Sequence, residues 1–162
     1  MIEILDIIVA MLKLFEGCRL TAYRDIVGVL TIGYGETLGV REGDVWTQQR
    51  ADIQLRERVA QFMLATLKRC PQLHLEPPGR TAACTSLAYN IGVGAFGASS
   101  VSRKTTRCDF PGAAAAFLLW DKAGGRVVRG LTLRRQAEQA QYLGNTQYRD
   151  PAQVQASALV HL

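Results

Sequence analysis

A chain of 162 residues, 48% apolar and 20% charged, has the composition of one folded domain with a real core and is too apolar to stay disordered. The net charge of +5 is concentrated in one half: residues 1–78 carry nine Lys/Arg against ten Asp/Glu, residues 79–162 ten against four. A basic half suits an anionic partner, but no dense Lys/Arg run marks nucleic-acid recognition and no apolar run is long enough to span a bilayer.

In chain order, residues 2–15 are predicted as an amphipathic helix, with Ile4, Ile8, Leu12 and Phe15 on one stripe. Glu3, Asp6 and Lys13 interrupt its apolar run, and it lacks a basic leader and a small-residue cleavage site, so it reads as a structural helix rather than a cleavable signal. Residues 18–46 change character. Glycines at 28, 33, 35, 39 and 43, with Val, Ile, Thr and Tyr between them, predict a small antiparallel sheet. Thr47 is a predicted N-cap for a long helix from about Gln48 to Arg69, with Ile53, Leu55, Val59, Phe62, Met63 and Leu67 buried, ended by Pro71. Further helices are predicted over Arg80 to Asn90, stopping at Gly92, over Ser99 to Lys104, from about Pro111 to Asp121, from about Thr132 to Gly144, and after Asp150-Pro151. Glycines 92, 94 and 97 read as helix stops and tight turns, since no strand and no Lys-Ser/Thr pair makes them a phosphate loop. The fold class is α+β, mostly helical, with the small sheet near the N-terminus.

Cys18, Cys70, Cys84 and Cys108 form no CxxC pair, and neither His74 nor His161 stands at ligand spacing from two cysteines. The expectation is reduced, mostly buried thiols and no zinc site.

Chemistry concentrates between Phe15 and Gly35. Glu16 falls at the end of the first helix, Asp25 in the first strand region before Gly28, and Thr31 on the returning strand. Glycoside hydrolysis needs a protonated carboxyl to protonate the leaving oxygen and an ionised one to activate water or stabilise the transition state. Glu16, beside Leu14 and Phe15, suits the acid, because apolar walls disfavour the charged form; Asp25, in a turn, suits the base. The Thr31 hydroxyl can hold the water. Acidic residues near threonines are common and mostly solvated, so this pattern alone names no enzyme.

Glutamate, eight residues, aspartate, five residues, threonine resembles the catalytic signature of phage-type lysozymes, and Glu16, Asp25 and Thr31 match it without a gap. The adjoining words match too: Glu16-Gly17, Tyr23-Arg24-Asp25, and Thr31 through Gly35. So do Leu87 through Phe96 followed by Ser99, then Trp120, Ala123-Gly124-Gly125, Gly130-Leu131, Arg134-Arg135 and Glu138, from about residue 13 to 143. The resemblance implies one lysozyme-like domain over 1–162. A β-rich lobe would span about 16–46, a connecting helix about 47–70, and the helical lobe 71–162 together with helix 2–15, with the cleft between lobes. It implies hydrolysis of the β-1,4 bond between N-acetylmuramic acid and N-acetylglucosamine in bacterial peptidoglycan. Glu16 would be the acid, Asp25 and Thr31 would handle water, and Tyr34, Asn90, Gly92 and Phe96 would contact substrate. It further implies that no metal or organic cofactor is needed, and a protein made in the host cytoplasm that acts on the wall after release; a monomer is the default, and no nucleic-acid module or membrane-spanning segment is visible. Where many relatives carry a histidine after Gly-Tyr-Gly this chain has Glu36, read as solvated.

Among the remaining residues, Arg134 and Arg135 suit peptidoglycan carboxylates or, at least as well, a pairing with Glu138 one turn on. Trp120 reads as core, on the face of Phe117. The second functional reading is a catalytically weak scaffold that binds peptidoglycan or a protein partner.

Overall fold

Eight apolar or small positions in a row, Thr81 to Ala88, are buried on every side, and the helix that carries them is the axis of the molecule. The computed structural model describes residues 2–145; the helix predicted after Asp150-Pro151 lies outside the described residues. The elements are α1 (Ile2–Phe15), β1 (Arg19–Arg24), β2 (Leu30–Gly33), α2 (Gln48–Arg69), a 3-10 turn (Pro71–Leu75), α3 (Pro78–Ile91), α4 (Val93–Ala98), α5 (Ser100–Thr106), α6 (Phe110–Phe117), β3 (Lys122–Ala123), β4 (Arg126–Val127) and α7 (Arg129–Tyr142). This is the mostly helical α+β class expected.

The central helix α3 packs against α1, α2 and α7. Its Thr, Ala, Cys and Ser side chains are short, so three neighbours approach closely at once. One core cluster joins Ile8, Met11 and Leu12 of α1 to Leu55, Val59 and Met63 of α2. A second gathers Leu73, Leu87, Phe96, Val101, Phe117 and Tyr142, with Trp120 packed at its edge as predicted. A third, small one holds Ile32, Trp46 and Ala51 under the sheet.

β1 and β2 pair antiparallel with Tyr23 opposite Thr31 and Arg24 opposite Leu30, and the register shifts between Arg19 and Tyr23. The connecting turn closes through Asp25 N–H to Val29 O at 2.9 Å and Gly28 N–H to Asp25 O at 2.9 Å. Gly28 has φ +85°, which a side chain would strain.

Four sequence expectations are corrected. Ile53 is 53% exposed: the buried residues of α2 are Ala51, Leu55, Val59, Met63 and Thr66, and a residue two past Ala51 falls on the opposite face. Gly94 and Gly97 lie inside α4, which was not predicted; only Gly92, at φ +87°, breaks the chain there. α6 ends at Phe117, short of the expected Asp121, and the two-stranded ribbon β3–β4 beyond it, turned by Gly124 and Gly125, was not predicted. Cys70 and Cys84 are buried, but Cys18 is half-buried and Cys108 is exposed with φ 58°, so only two of the four thiols fill the core. The remaining boundaries shift by a few residues; Thr47 caps α2 as predicted, accepting the Arg50 N–H.

Candidate active site

Glu16 follows α1 directly, its N–H still bonded to Leu12 O at 2.8 Å, so the end of the helix fixes its backbone. Its side chain is 26% exposed and reaches the Arg134 guanidinium on α7 at 2.7 Å. Arg134 also lies 5.2 Å from the Phe15 ring centroid. The contact the structure gives the Glu16 carboxyl is thus a cation, which the sequence reading placed against Glu138 or peptidoglycan, where apolar walls were expected.

Behind Arg134 lies a buried ionic cluster. Arg134 Nε reaches Glu138 Oε1 at 3.2 Å, and Nη2 donates to Ser86 O at 3.2 Å. Glu138 also accepts from Ser86 Oγ at 2.7 Å and Arg135 Nη2 at 2.9 Å, and pairs with Arg135 Nε at 2.8 Å. The predicted pairing of Arg134 and Arg135 with Glu138 is thus present. Burial pushes the Glu138 carboxyl up, against the pull of the two guanidiniums and the Ser86 hydroxyl.

Asp25 and Thr31 meet through one residue. Val29 N–H donates to Asp25 Oδ1 at 2.8 Å, as Val27 N–H does at 3.0 Å. The Thr31 hydroxyl, 4% exposed, donates to Val29 O at 3.0 Å. Donation occupies its only proton, so its free lone pair is an acceptor for a water O–H.

The expected substrate contacts divide. Asn90 is exposed at the end of α3, and Gly92 caps that helix half-buried. Phe96 is 0% exposed inside the second core cluster, so its expected role against substrate is corrected: α4 turns the ring inward. Tyr34 is half-buried and its hydroxyl is engaged, donating to Asp52 Oδ1 at 3.0 Å and accepting from Gln48 Nε2 at 3.0 Å. Burial, then the Asp52 hydrogen bond, pushes Tyr34 up to about 12. Burial works to raise Asp52 as well, but hydrogen bonds from Lys13, Gln48 and Tyr34 outweigh it and hold that carboxyl below its ordinary range. Tyr34 thereby ties β2 to α2 and, through Lys13–Asp52 at 2.8 Å, to α1.

Glu36 is not solvated. Its side chain is 14% exposed, accepts the Thr37 and Leu38 N–H groups at 2.8 and 2.9 Å, and pairs with Arg58 at 3.3 Å. Arg58 also donates to Gly35 O at 3.2 Å, so α2 holds the segment leaving β2. Two depressions flank this pair. One is lined by Tyr34, Gln54, Arg58 and Tyr89; the other, of about 140 Å³, by Leu38, Asp44, Trp46 and Arg50. None of Glu16, Asp25 and Thr31 lines either one.

The family profile described as phage lysozyme matches residues 13–138, which contain all three of these side chains. The chain belongs to the phage lysozyme family. Membership makes it a glycoside hydrolase of the muramidase type, acting on bacterial peptidoglycan as an endolysin does. An endolysin of Acyrthosiphon pisum secondary endosymbiont phage 1 is 42% identical over 134 residues, 80% of this chain and 90% of that protein. The muramidase domain of SpmX from Asticaccaulis excentricus superposes with a TM-score of 0.75 at 32% identity, covering 84% of this chain and 94% of that one. A mutant of P22 lysozyme gives a TM-score of 0.74 at 34% identity over the same shares. Ser86 is the site residue that sequence reasoning missed, and the Glu16 contact of Arg134 went unforeseen. An arginine two turns from the end of a helix that is otherwise half-polar carries no mark of its destination across 118 residues of chain.

Proposed function

We propose that this phage lysozyme cleaves the β-1,4 bond between N-acetylmuramic acid and N-acetylglucosamine with inversion, using Glu16 as acid and Asp25 with Thr31 to deliver water. The observation that carries the reading is the shared Val29 backbone, which holds the Asp25 carboxylate and the Thr31 hydroxyl in one turn. Thr31 accepts one O–H of the water and Asp25 takes the proton as the oxygen attacks C1. Glu16 gives its proton to the departing 4-oxygen, and the C1–O bond breaks. Asp25 ends protonated and Glu16 ionised, so a proton passes back through solvent before the next turnover. Arg134 supports this by fixing the direction of the Glu16 carboxyl. Asn90 and Gly92 are offered as substrate contacts on the α3 side.

The lobe division belongs to the same reading: residues about 16–46 would form one wall of the cleft, and the helices between residues 71 and 142 with α1 the other. A monomer released from the host cytoplasm onto the wall, without nucleic acid, fits a soluble lytic activity. Among the described residues no helix is long and apolar enough to cross a membrane.

The test is turbidity clearing of outer-membrane-permeabilised Gram-negative cells by the native protein and by Glu16→Gln. Clearing by the native protein alone establishes Glu16 as the acid. Equal clearing removes Glu16 from the mechanism. If neither clears while both sediment with cell wall, the chain is a wall-binding scaffold.

A further inference from the structure

Glu138 is 0% exposed, in a family enzyme whose substrate is a surface-bound polymer, so it touches no sugar. Its partners nevertheless lead to the acid. Arg134 is 4% exposed and uses each nitrogen for a different purpose: Nε to Glu138, Nη2 to the Ser86 carbonyl, Nη1 to Glu16. A guanidinium is a rigid planar fork, so fixing two of its nitrogens dictates where the third points. The two anchors come from α7 and α3, which pack along each other, whereas Glu16 sits just past the end of α1 with its side chain 26% exposed. The Glu138 carboxylate is oriented in turn: Oε1 takes the Ser86 hydroxyl and an Arg135 nitrogen, and Oε2 faces Arg135 Nε.

We infer that Glu138 is a positioning residue for hydrolysis, acting through Arg134 to hold the Glu16 carboxyl toward the leaving oxygen. The inference rests on Glu16 being the acid. Charge balance is the competing account: the cluster holds Arg134 and Arg135 against Glu16 and Glu138, and a carboxylate is needed there merely to keep two guanidiniums buried. The two accounts separate in the double variant Glu138→Leu/Arg135→Met, which removes one charge of each sign together with the oxygen that orients Arg134, and leaves Arg134 opposite Glu16.

The experiment measures reducing-end release from purified peptidoglycan over a range of wall concentrations, with thermal unfolding of each variant. For Glu138→Leu/Arg135→Met the expected result is an intact unfolding transition, KM within about 2-fold of native and kcat lower by about 10- to 100-fold. Glu138→Asp should recover part of that loss. A double variant with native kcat would overturn the inference and leave Glu138 as a counterion. Should the double variant not fold, Ser86→Ala decides, since it deletes only the hydroxyl that orients Glu138 Oε1. A kcat lower by several-fold at constant KM supports positioning, and an unchanged kcat overturns it. Glu16→Gln is run alongside. If it retains activity, the acid assignment has failed; if it is inactive while the Glu138 and Ser86 variants keep native kcat, only the present inference has.

Discussion

Asp25 has two jobs that a substitution can separate. Its Oδ1 accepts two backbone N–H groups and so shapes the β1–β2 turn, while its ionised form is proposed to take a proton from water. Asparagine keeps an oxygen for the two N–H groups but takes up no proton. Asp25→Asn is therefore expected to lose roughly 10²- to 10⁴-fold in kcat with a native unfolding midpoint. Asp25→Ala is expected to lose activity equally and to cost about 1 kcal/mol in stability, because the turn loses both acceptors. If Asn is as active as Asp, the carboxylate serves the turn alone. Glu16, Asp25 and Thr31, the proposed catalytic residues, were legible because their spacing resembles the family signature, and they stand where the sequence put them, just past a helix end, in a turn and on a returning strand. Arg134 was only half legible: its Glu138 partner lies within α7, but its Glu16 partner is 118 positions away and only packing brings them together.

At the scale of elements, the tightest approach is between α3 and α7. A Cβ added at Gly79 would lie 2.6 Å from the Gln141 backbone carbonyl, which cannot swing aside as a side chain does. Gly130, inside α7, would meet nothing within 4 Å. Gly79→Ala is expected to cost roughly 1–3 kcal/mol by forcing the helices apart, although alanine favours helix. Gly130→Ala is expected to be neutral or to gain up to about 1 kcal/mol. Urea midpoints decide it: equal shifts in the two variants would show that the helices do not need the glycine. This contact explains why the elements were predicted better than their packing. Capping and proline signals around Thr47 and Pro71 are local, and α2 formed where they placed it. Glycine has several meanings: Gly92 stops a helix, Gly94 and Gly97 sit within one, and Gly79 makes room for a neighbour. The error at Phe96 has another source: the substrate contact came with the resemblance, and the unpredicted α4 buries the ring.

Across the whole molecule, tyrosines join elements distant in sequence. Tyr34 bonds to Asp52 of α2, Tyr89 of α3 donates to Tyr34 O at 3.4 Å, and Tyr142 of α7 shares a 2.8 Å hydrogen bond with Thr105 of α5 while packing on Phe117. Burial raises all three, Tyr34 to about 12. An acid raised on folding releases its proton more readily unfolded, so its stabilisation is whole below the unfolded value of about 10 and drains as pH climbs through the folded one. The urea midpoint should therefore hold from neutral pH to about 9.5 and then fall steeply. Lysine loss would add to this, but the chain has four lysines against fifteen arginines, which stay charged. Lys13 pairs with Asp52 beside the Tyr34 hydroxyl, so the discriminating variant is made at Tyr142 instead. Tyr142→Phe leaves the ring on Phe117 and deletes the titrating hydroxyl. It is expected to cost about 1 kcal/mol at neutral pH through the lost Thr105 bond and to flatten the alkaline fall, so that its curve converges on that of the native protein. Parallel curves would mean that Tyr142 does not set the alkaline limit, and a native midpoint unchanged to about pH 11.5 would remove the tyrosines from it altogether.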